Sequence, residues 1–115
     1  MSYTDGFVAA VPTNKKSEYI AFAKKAADIF KEYGALSVVE NWSDDVPEGK
    51  VTDFARAVKL EEGEAVVFSW VTWPDKATRV TAWEKVMQDP RMQDDEMPFD
   101  GKRLIYGGFE NVLDV

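Results

Sequence analysis

The sequence contains no cysteine and no histidine. Without cysteine it can form no disulfide, thiolate nucleophile or thiolate metal site. Without histidine it lacks the Ser-His-Asp and Cys-His nucleophilic arrangements, the imidazole general base, and ordinary zinc or non-haem iron sites. Any chemistry must therefore rest on carboxylates, arginine and tyrosine, and since phosphate-loop and haem motifs are also absent, we expect neither a metal nor another cofactor.

Basic residues are fewer than acidic ones, with 14 Lys and Arg against 21 Asp and Glu and a net charge of −7. This charge opposes unspecific attraction to nucleic acid or anionic lipid, so we predict neither as a partner. No apolar run approaches the roughly 20 residues that span a bilayer, and no basic stretch followed by an apolar run opens the chain. We therefore expect a cytoplasmic protein.

The overall composition is that of one folded domain. The chain has 115 residues, of which 45% are hydrophobic and 30% are charged, and neither figure indicates disorder. We find no internal repeat, low-complexity tract or linker, so residues 1–115 are predicted to form a single domain.

The first half of the chain predicts strand, helix, strand. Residues 6–11 form a short apolar run that Pro12 stops. A helix capped by Thr13 or Asn14 follows and ends at Gly34. Its apolar side chains recur at three- and four-residue spacing: Tyr19, Phe22, Ala23, Ala26, Ile29, Phe30 and Tyr33. Residues 36–42 read as a strand with one face formed by Leu36, Val38, Glu40 and Trp42.

The second half predicts strand, helix, strand. Residues 53–58 suggest a helical turn capped by Thr52, or a strand. Residues 65–73 form the most apolar strand, and Asp75 opens a helix to about residue 88. The apolar stripe of this helix is Val80, Trp83, Val86 and Met87. Residues 91–101 look irregular, and a last strand over 102–112 holds a Gly-Gly pair as a candidate bulge or close approach.

The order β-α-β-β-α-β is that of an α+β ferredoxin-like fold, a four-stranded antiparallel sheet with two helices on one face. The strand over residues 65–73 carries large apolar side chains on both faces, so its second face needs a cover. An identical sheet related by two-fold symmetry supplies that cover economically. We therefore predict a homodimer.

Six strings spread along nearly the whole chain carry a resemblance: residues 5–8 (DGFV), 30–36 (FKEYGAL), 45–54 (DVPEGKVTDF), 67–70 (VFSW), 89–92 (DPRM) and 97–109 (MPFDGKRLIYGGF). With them the chain resembles the YbaA-like domain-of-unknown-function family of uncharacterised bacterial proteins. The resemblance implies a bacterial protein with a fold similar to the dimeric α/β barrels, in which two ferredoxin-like sheets face each other. It implies no substrate or catalytic residue.

Glu40 is the first candidate site residue because it alternates with Val38 and Trp42 and so points toward an apolar layer. Burial would raise its pKa and suit it to act as a general base or to hold a ligand. The structural alternative is a half-solvated edge glutamate, or one paired with Arg56 or Arg103.

The long connection before the last strand holds a second set of candidates. Arg91, Asp100 and Arg103 could orient a small anion or carboxylate. The alternative is that the apolar side chains of this loop, Met92, Met97 and Phe99, close the barrel end or contact the partner subunit.

Two further groups are weighed against structural roles. Four tryptophans, of which Trp42 and Trp70 are ligand-binding candidates, could line a pocket, although core and dimer contacts explain them more simply. Four acids follow the second strand: Asp44, Asp45, Glu48 and Asp53. Their spacing does not match an EF-hand, so a solvated acidic turn is favoured over a cation site.

The leading functional hypothesis is a dimeric barrel that binds a small, partly apolar molecule between sheet and helices, near Glu40, Trp42 and Trp70. Whether it is an enzyme stays open, and a non-catalytic interaction module is one alternative.

The other alternative is a cofactor-free acid/base enzyme, oxygenase- or isomerase-like. Glu40 or Asp100 would move a proton, and Arg103 or Tyr106 would stabilise developing negative charge.

Overall fold

The computed structural model describes residues 2–93 and 96–115. A single 3₁₀ turn, Thr13–Lys15, joins the first strand to the first helix. In chain order the elements are β1 (Tyr3–Pro12), α1 (Lys16–Glu32), β2 (Ser37–Trp42), α2 (Phe54–Ala57), β3 (Glu64–Trp73), α3 (Lys76–Gln88), α4 (Pro90–Gln93) and β4 (Ile105–Glu110).

The four strands form one antiparallel sheet in the order β2-β3-β1-β4. The long central strands β1 and β3 pair along their whole length, from Tyr3 opposite Trp73 to Pro12 opposite Glu64. This order, with β1 and β3 inside and β2 and β4 at the edges, is the ferredoxin-like topology that the sequence predicts.

Both long helices lie on one face of the sheet and enclose the main core. From β3, Val71 and Trp73 are buried in it, and Trp73 has no exposed surface. From the helices, Ala26, Ile29 and Phe30 of α1 and Ala82 and Val86 of α3 complete it. Gly34 ends α1 with a φ of 115°, a conformation that favours glycine.

The opposite face of the sheet is largely open. We call this surface the open face. It is formed by the even-numbered residues of β1 and β3 and by the residues of β2 and β4 that pair with them. One end is closed by the segment around α2, where Val58 packs on Ala10 and Val66, a cover that the sequence did not predict. Elsewhere Phe68, Ile105 and Phe109 are each more than two-fifths exposed.

The helix starts and the apolar stripe of α3 differ from expectation. Neither Thr13 nor Asn14 caps α1, because both lie within the 3₁₀ turn. Asp53, rather than Thr52, caps α2 through the Arg56 N–H. Of the stripe predicted for α3, Val86 is buried and Trp83 half-buried, whereas Val80 and Met87 are exposed; Ala82, outside that stripe, is buried.

The connection to β4 contains more regular structure than expected, and β4 is shorter. The Asp89 carboxylate accepts a hydrogen bond from the Arg91 N–H and starts the short helix α4. Asp94 and Asp95 lie outside the described residues. Asp100 accepts the Lys102 N–H, which draws that amide into a turn and delays β4 to residue 105.

The Gly-Gly pair of β4 is a close approach and not a bulge. The register with β1 runs without interruption from Ile105 to Glu110. A Cβ on Gly108 would lie 2.6 Å from the Tyr3 hydroxyl, so the Tyr3 side chain occupies the space that any larger residue would need.

Candidate functional site

Glu40 and Tyr19 form the centre of the candidate site. The alternation of β2 directs Glu40 to the helix side of the sheet, where α1 packs. Tyr19 lies on the buried stripe of α1. Its hydroxyl donates to Glu40 Oε1 across 2.6 Å, a short hydrogen bond to a carboxylate.

Both members of this pair have a raised pKa. Glu40 as a whole residue is exposed on its edge strand, yet burial around its carboxylate raises its pKa, against the opposing effect of hydrogen bonds from Tyr19 and Ser69. Burial first, and then the nearby Glu40 charge, raises the pKa of Tyr19 strongly. Tyr19 therefore stays protonated and acts as a donor.

A cleft of about 410 Å³ opens beside this pair, between α1 and β2. Its walls are mostly apolar: Tyr19, Ile20, Ala23, Ala27, Val38, Trp42 and Val67. Its polar members are Lys16, Lys24, Glu40 and Asn41. The Lys16 ammonium lies 5.1 Å from the centre of the Trp42 ring. We name this space the α1–β2 cleft, and it brings together two of the expected residues, Glu40 and Trp42.

Trp70 does not share that cleft. It pairs with Val39, whereas Glu40 pairs with Ser69, so Trp70 and Glu40 lie on opposite faces of the sheet. On the open face Trp70 packs against Phe68, and the centres of the two rings are 5.4 Å apart. The expected grouping of Trp70 with Glu40 is therefore corrected by the alternation of β3.

Asp100 and Arg103 lie together in a different ion cluster. Arg103 donates to both oxygens of Glu64 across 2.7 Å and to Asp100 across 3.1 Å. It also donates to the Lys59 carbonyl. The hydrogen bonds from Arg103 lower the pKa of Glu64. Arg103 thus ties the β4 connection to β3, and Glu40 has Tyr19 as its partner instead.

Arg91 is bound by two carboxylates. Its guanidinium makes two hydrogen bonds to Asp89, of 3.0 and 2.8 Å, and an ion pair of 2.7 Å to Glu32. Asp89, which is nearly buried, also accepts the Tyr33 hydroxyl across 2.7 Å. These donors, chiefly Arg91, hold the pKa of Asp89 far below its ordinary value.

The remaining candidates lie apart from the cleft. Tyr106 is 74% exposed on the edge strand β4. In the acidic loop, Asp53 caps α2 and Glu48 pairs with Arg56. Across the described ranges, no cluster of three or more acidic side chains is arranged to hold a metal ion.

Asp5, which sequence reasoning did not single out, has the most hydrogen bonds of any carboxylate described. It is 2% exposed in β1. The indole N–H groups of Trp73 and Trp83 donate to Oδ2 across 2.9 and 2.8 Å. Arg79 Nε contacts both oxygens at 3.1 Å and its Nη2 donates to Oδ1 across 2.7 Å. No buried side-chain nitrogen or oxygen among the described residues lacks a hydrogen-bond partner, so this network is complete.

In the part of the chain that the structure describes, no helix combines the length and apolar character needed to cross a bilayer.

Fold and cleft together define a ferredoxin-like α+β domain with an open sheet face. A family model described as a protein of unknown function (DUF1428) matches residues 2–101, and the chain belongs to this family. The uncharacterized protein YbaA of Escherichia coli (strain K12) is 60% identical over 116 residues, covering 99% of each chain. The YbaA protein of Shigella flexneri matches to the same extent.

Among solved structures, a dimeric ferredoxin-like protein from an uncultured marine organism covers 100% of both chains with a TM-score of 0.64. Its sequence identity is 12%, so the likeness concerns the fold alone.

Proposed function

We propose that this protein is a cytoplasmic homodimer that binds a small, partly apolar molecule in the α1–β2 cleft. The observation that carries the proposal is a mostly apolar cleft of about 410 Å³ with the Glu40 carboxylate in its wall. Ligand sites commonly combine apolar walls with a few polar groups that fix orientation. The volume lies within the range of known small-molecule sites.

The open face supports the homodimer. Phe68, Ile105 and Phe109 expose apolar surface there, and Trp70 extends the same surface. In a monomer this apolar patch stays in water, so the favourable free energy of burying it is not gained. A two-fold pair of sheets would cover both copies, and the fold relative with a TM-score of 0.64 is described as dimeric.

Ligand binding is tested by a thermal-shift screen of the full chain against metabolites, because a ligand of the native state raises apparent stability. Hits are measured again with Ile20→Gln, which removes an exposed part of the cleft wall. Met87→Gln, at an exposed apolar position on α3 outside the cleft, is the matched control. Hits that bind Ile20→Gln and the unaltered protein equally would place the ligand elsewhere and refute the proposal.

The homodimer is tested by mass measurement in solution. Phe68→Asp should convert the dimer to a monomer, since it puts two charges into the paired face. Met87→Asp, on the helical side of the domain, should leave the dimer intact. An unaltered protein that is monomeric at high micromolar concentration would remove this part of the proposal.

A second candidate function is favoured by the raised pKa of Glu40. A carboxylate of raised pKa can accept a proton from a substrate carbon and return it to another position, an isomerisation in which no atom is gained or lost. Tyr19 would then position Glu40 through its hydrogen bond. Glu40→Gln should abolish any turnover found, whereas Asp100→Asn tests the alternative base in the separate ion cluster.

A further inference from the structure

The α1–β2 cleft contains charges that the described chain does not neutralise. Within residues 2–93 and 96–115, neither Lys16 nor Lys24 has a carboxylate within 4.0 Å. Glu40 accepts hydrogen bonds from Tyr19 and Ser69, although a carboxylate can accept about four. The cleft therefore has a cationic side and an acceptor with remaining capacity.

The arginines show how differently the chain treats its other cations. All four pair with carboxylates: Arg56, Arg79, Arg91 and Arg103. Unpaired surface lysines are common, so lack of a partner alone does not distinguish Lys16 and Lys24. What distinguishes them is their position beside Glu40 in an apolar cleft of an acidic protein.

Helix geometry sets the spacing between these groups. Lys24 follows Tyr19 by five residues on α1, about 7.5 Å further along the axis and about 140° around it, and both side chains still line the cleft. Tyr19 in turn marks the position of Glu40. Ile20 and Ala23 lie between them on α1 as an apolar wall, which Ala27 continues beyond Lys24, and Val38 lines the cleft from β2. Lys16 lies three residues to the other side and is held over the Trp42 ring.

We infer that the ligand of this cleft is a small organic acid with an apolar body and a hydroxyl group about 7 Å from its carboxylate. The carboxylate pairs with Lys24, the body lies along Ile20 and Val38, and the hydroxyl donates to Glu40. This inference rests on the proposed ligand-binding function. It deepens that function by assigning the ligand a charge and a spacing.

The test uses four probes of one shape on the full chain at pH 8: 4-hydroxyphenylacetate, phenylacetate, 2-(4-hydroxyphenyl)ethanol and tyramine. Dissociation constants are measured by calorimetry. We expect 4-hydroxyphenylacetate to bind most tightly, and phenylacetate about tenfold more weakly because it lacks the donor to Glu40. Tyramine, with an ammonium in place of the carboxylate, should bind about 4- to 25-fold more weakly, since a like-charge contact replaces one partly exposed ion pair.

Variants assign the two polar contacts. Lys24→Gln should raise the dissociation constant of 4-hydroxyphenylacetate about 2- to 5-fold, which is the effect of losing one partly exposed ion pair. Lys31→Gln removes the same charge from an exposed position of α1 outside the cleft and should change nothing. Glu40→Gln should reduce the preference for the hydroxylated acid from about tenfold to about twofold, since a neutral acceptor binds a donor less strongly.

The outcomes separate this inference from the proposed function. If tyramine or the neutral alcohol binds as tightly as the acid, the ligand class is wrong while the cleft remains a binding site. Equal loss in Lys24→Gln and Lys31→Gln would also refute it. If none of the four probes binds, the acid class is overturned, and the metabolite screen with Ile20→Gln decides the proposed function independently.

Discussion

Asp5 and Glu40 are carboxylates on the same face of one sheet, and their surroundings are opposite. Asp5 lies on a central strand, nearly free of solvent, with two indoles and one guanidinium bound to it. Glu40 lies on an edge strand beside a cleft, with only the Tyr19 and Ser69 hydroxyls as donors among the described residues. A carboxylate whose hydrogen bonds are complete can only hold the fold together, whereas one with remaining capacity can bind something else.

The largest expected effect is that of Asp5→Ala. It leaves the Arg79 charge and two indole N–H groups without their acceptor in a largely buried site. We expect the free energy of unfolding to fall by about 3–5 kcal/mol, as for one broken half of a buried ion pair. Denaturant unfolding measures it. A loss below about 1 kcal/mol would show that Asp5 is not the centre of this network.

Trp83→Phe removes a single donor from Asp5 and keeps an aromatic ring. Arg79 and Trp73 continue to hold the carboxylate. We therefore expect a smaller loss, about 1–3 kcal/mol in denaturant unfolding. Binding in the α1–β2 cleft should not change, because Trp83 does not line it. A change in ligand affinity equal to that of a cleft variant would contradict the separation of the two regions.

Tyr19→Phe removes the close donor to Glu40 and keeps the buried ring. The expected loss of stability is about 1 kcal/mol, the net value of one hydrogen bond. The pKa of Glu40 should rise further, because the Tyr19 hydrogen bond lowers it at present. Titration of the Glu40 carboxyl by NMR measures this shift, and an unchanged or lower pKa would contradict the assignment.

Glu40→Gln is expected to have the smallest effect on stability, below about 1 kcal/mol. Whether Glu40→Gln raises or lowers the free energy of unfolding depends on pH. Because folding raises the pKa of Glu40 above its ordinary 4.5, the folded state binds this proton more tightly. The contribution of Glu40 to the free energy of unfolding therefore falls as pH rises from 4.5 through its folded pKa. Glu40→Gln should remove this decrease.

Carboxylates whose pKa is lowered by folding, including Asp89 and Glu64, show the opposite pH dependence and serve as the control. Their stabilisation is present above the unfolded pKa and is lost as pH falls through the folded one. Glu40→Gln should leave that acid limb unchanged. Unfolding curves of both proteins between about pH 3 and 8 test the pair of statements, and identical curves would show that Glu40 does not titrate as described.

Much of the fold follows from periodicity. The stripe of α1 identifies its buried side chains, and Gly34 identifies its end. The alternation of Val38, Glu40 and Trp42 places the Glu40 side chain on the helix side before any packing is known. These features depend on neighbours within a few residues, which is why the sequence predicts them.

The features that the sequence does not predict depend on contacts between residues far apart in the chain. Asp5 and Gly6 favour a turn by their local preferences, so β1 was expected to begin at Gly6. β1 begins at Tyr3 because donors 68 to 78 residues further along surround Asp5. The Tyr19 partner of Glu40 was missed for the same reason, although a tyrosine within an apolar stripe often has a polar partner at its hydroxyl.

Asn111, which follows β4, joins the end of the sheet's last strand to the start of β1. Thr4 donates to its amide oxygen, and its amide nitrogen donates to the Ser2 hydroxyl, so the two ends of the fold meet at one corner. A short flexible linker could close the chain into a ring there, and new ends could be opened in the exposed loop over residues 43–52. Such a circular permutant would keep every strand pairing while reversing the order in which the halves of the sheet are synthesised.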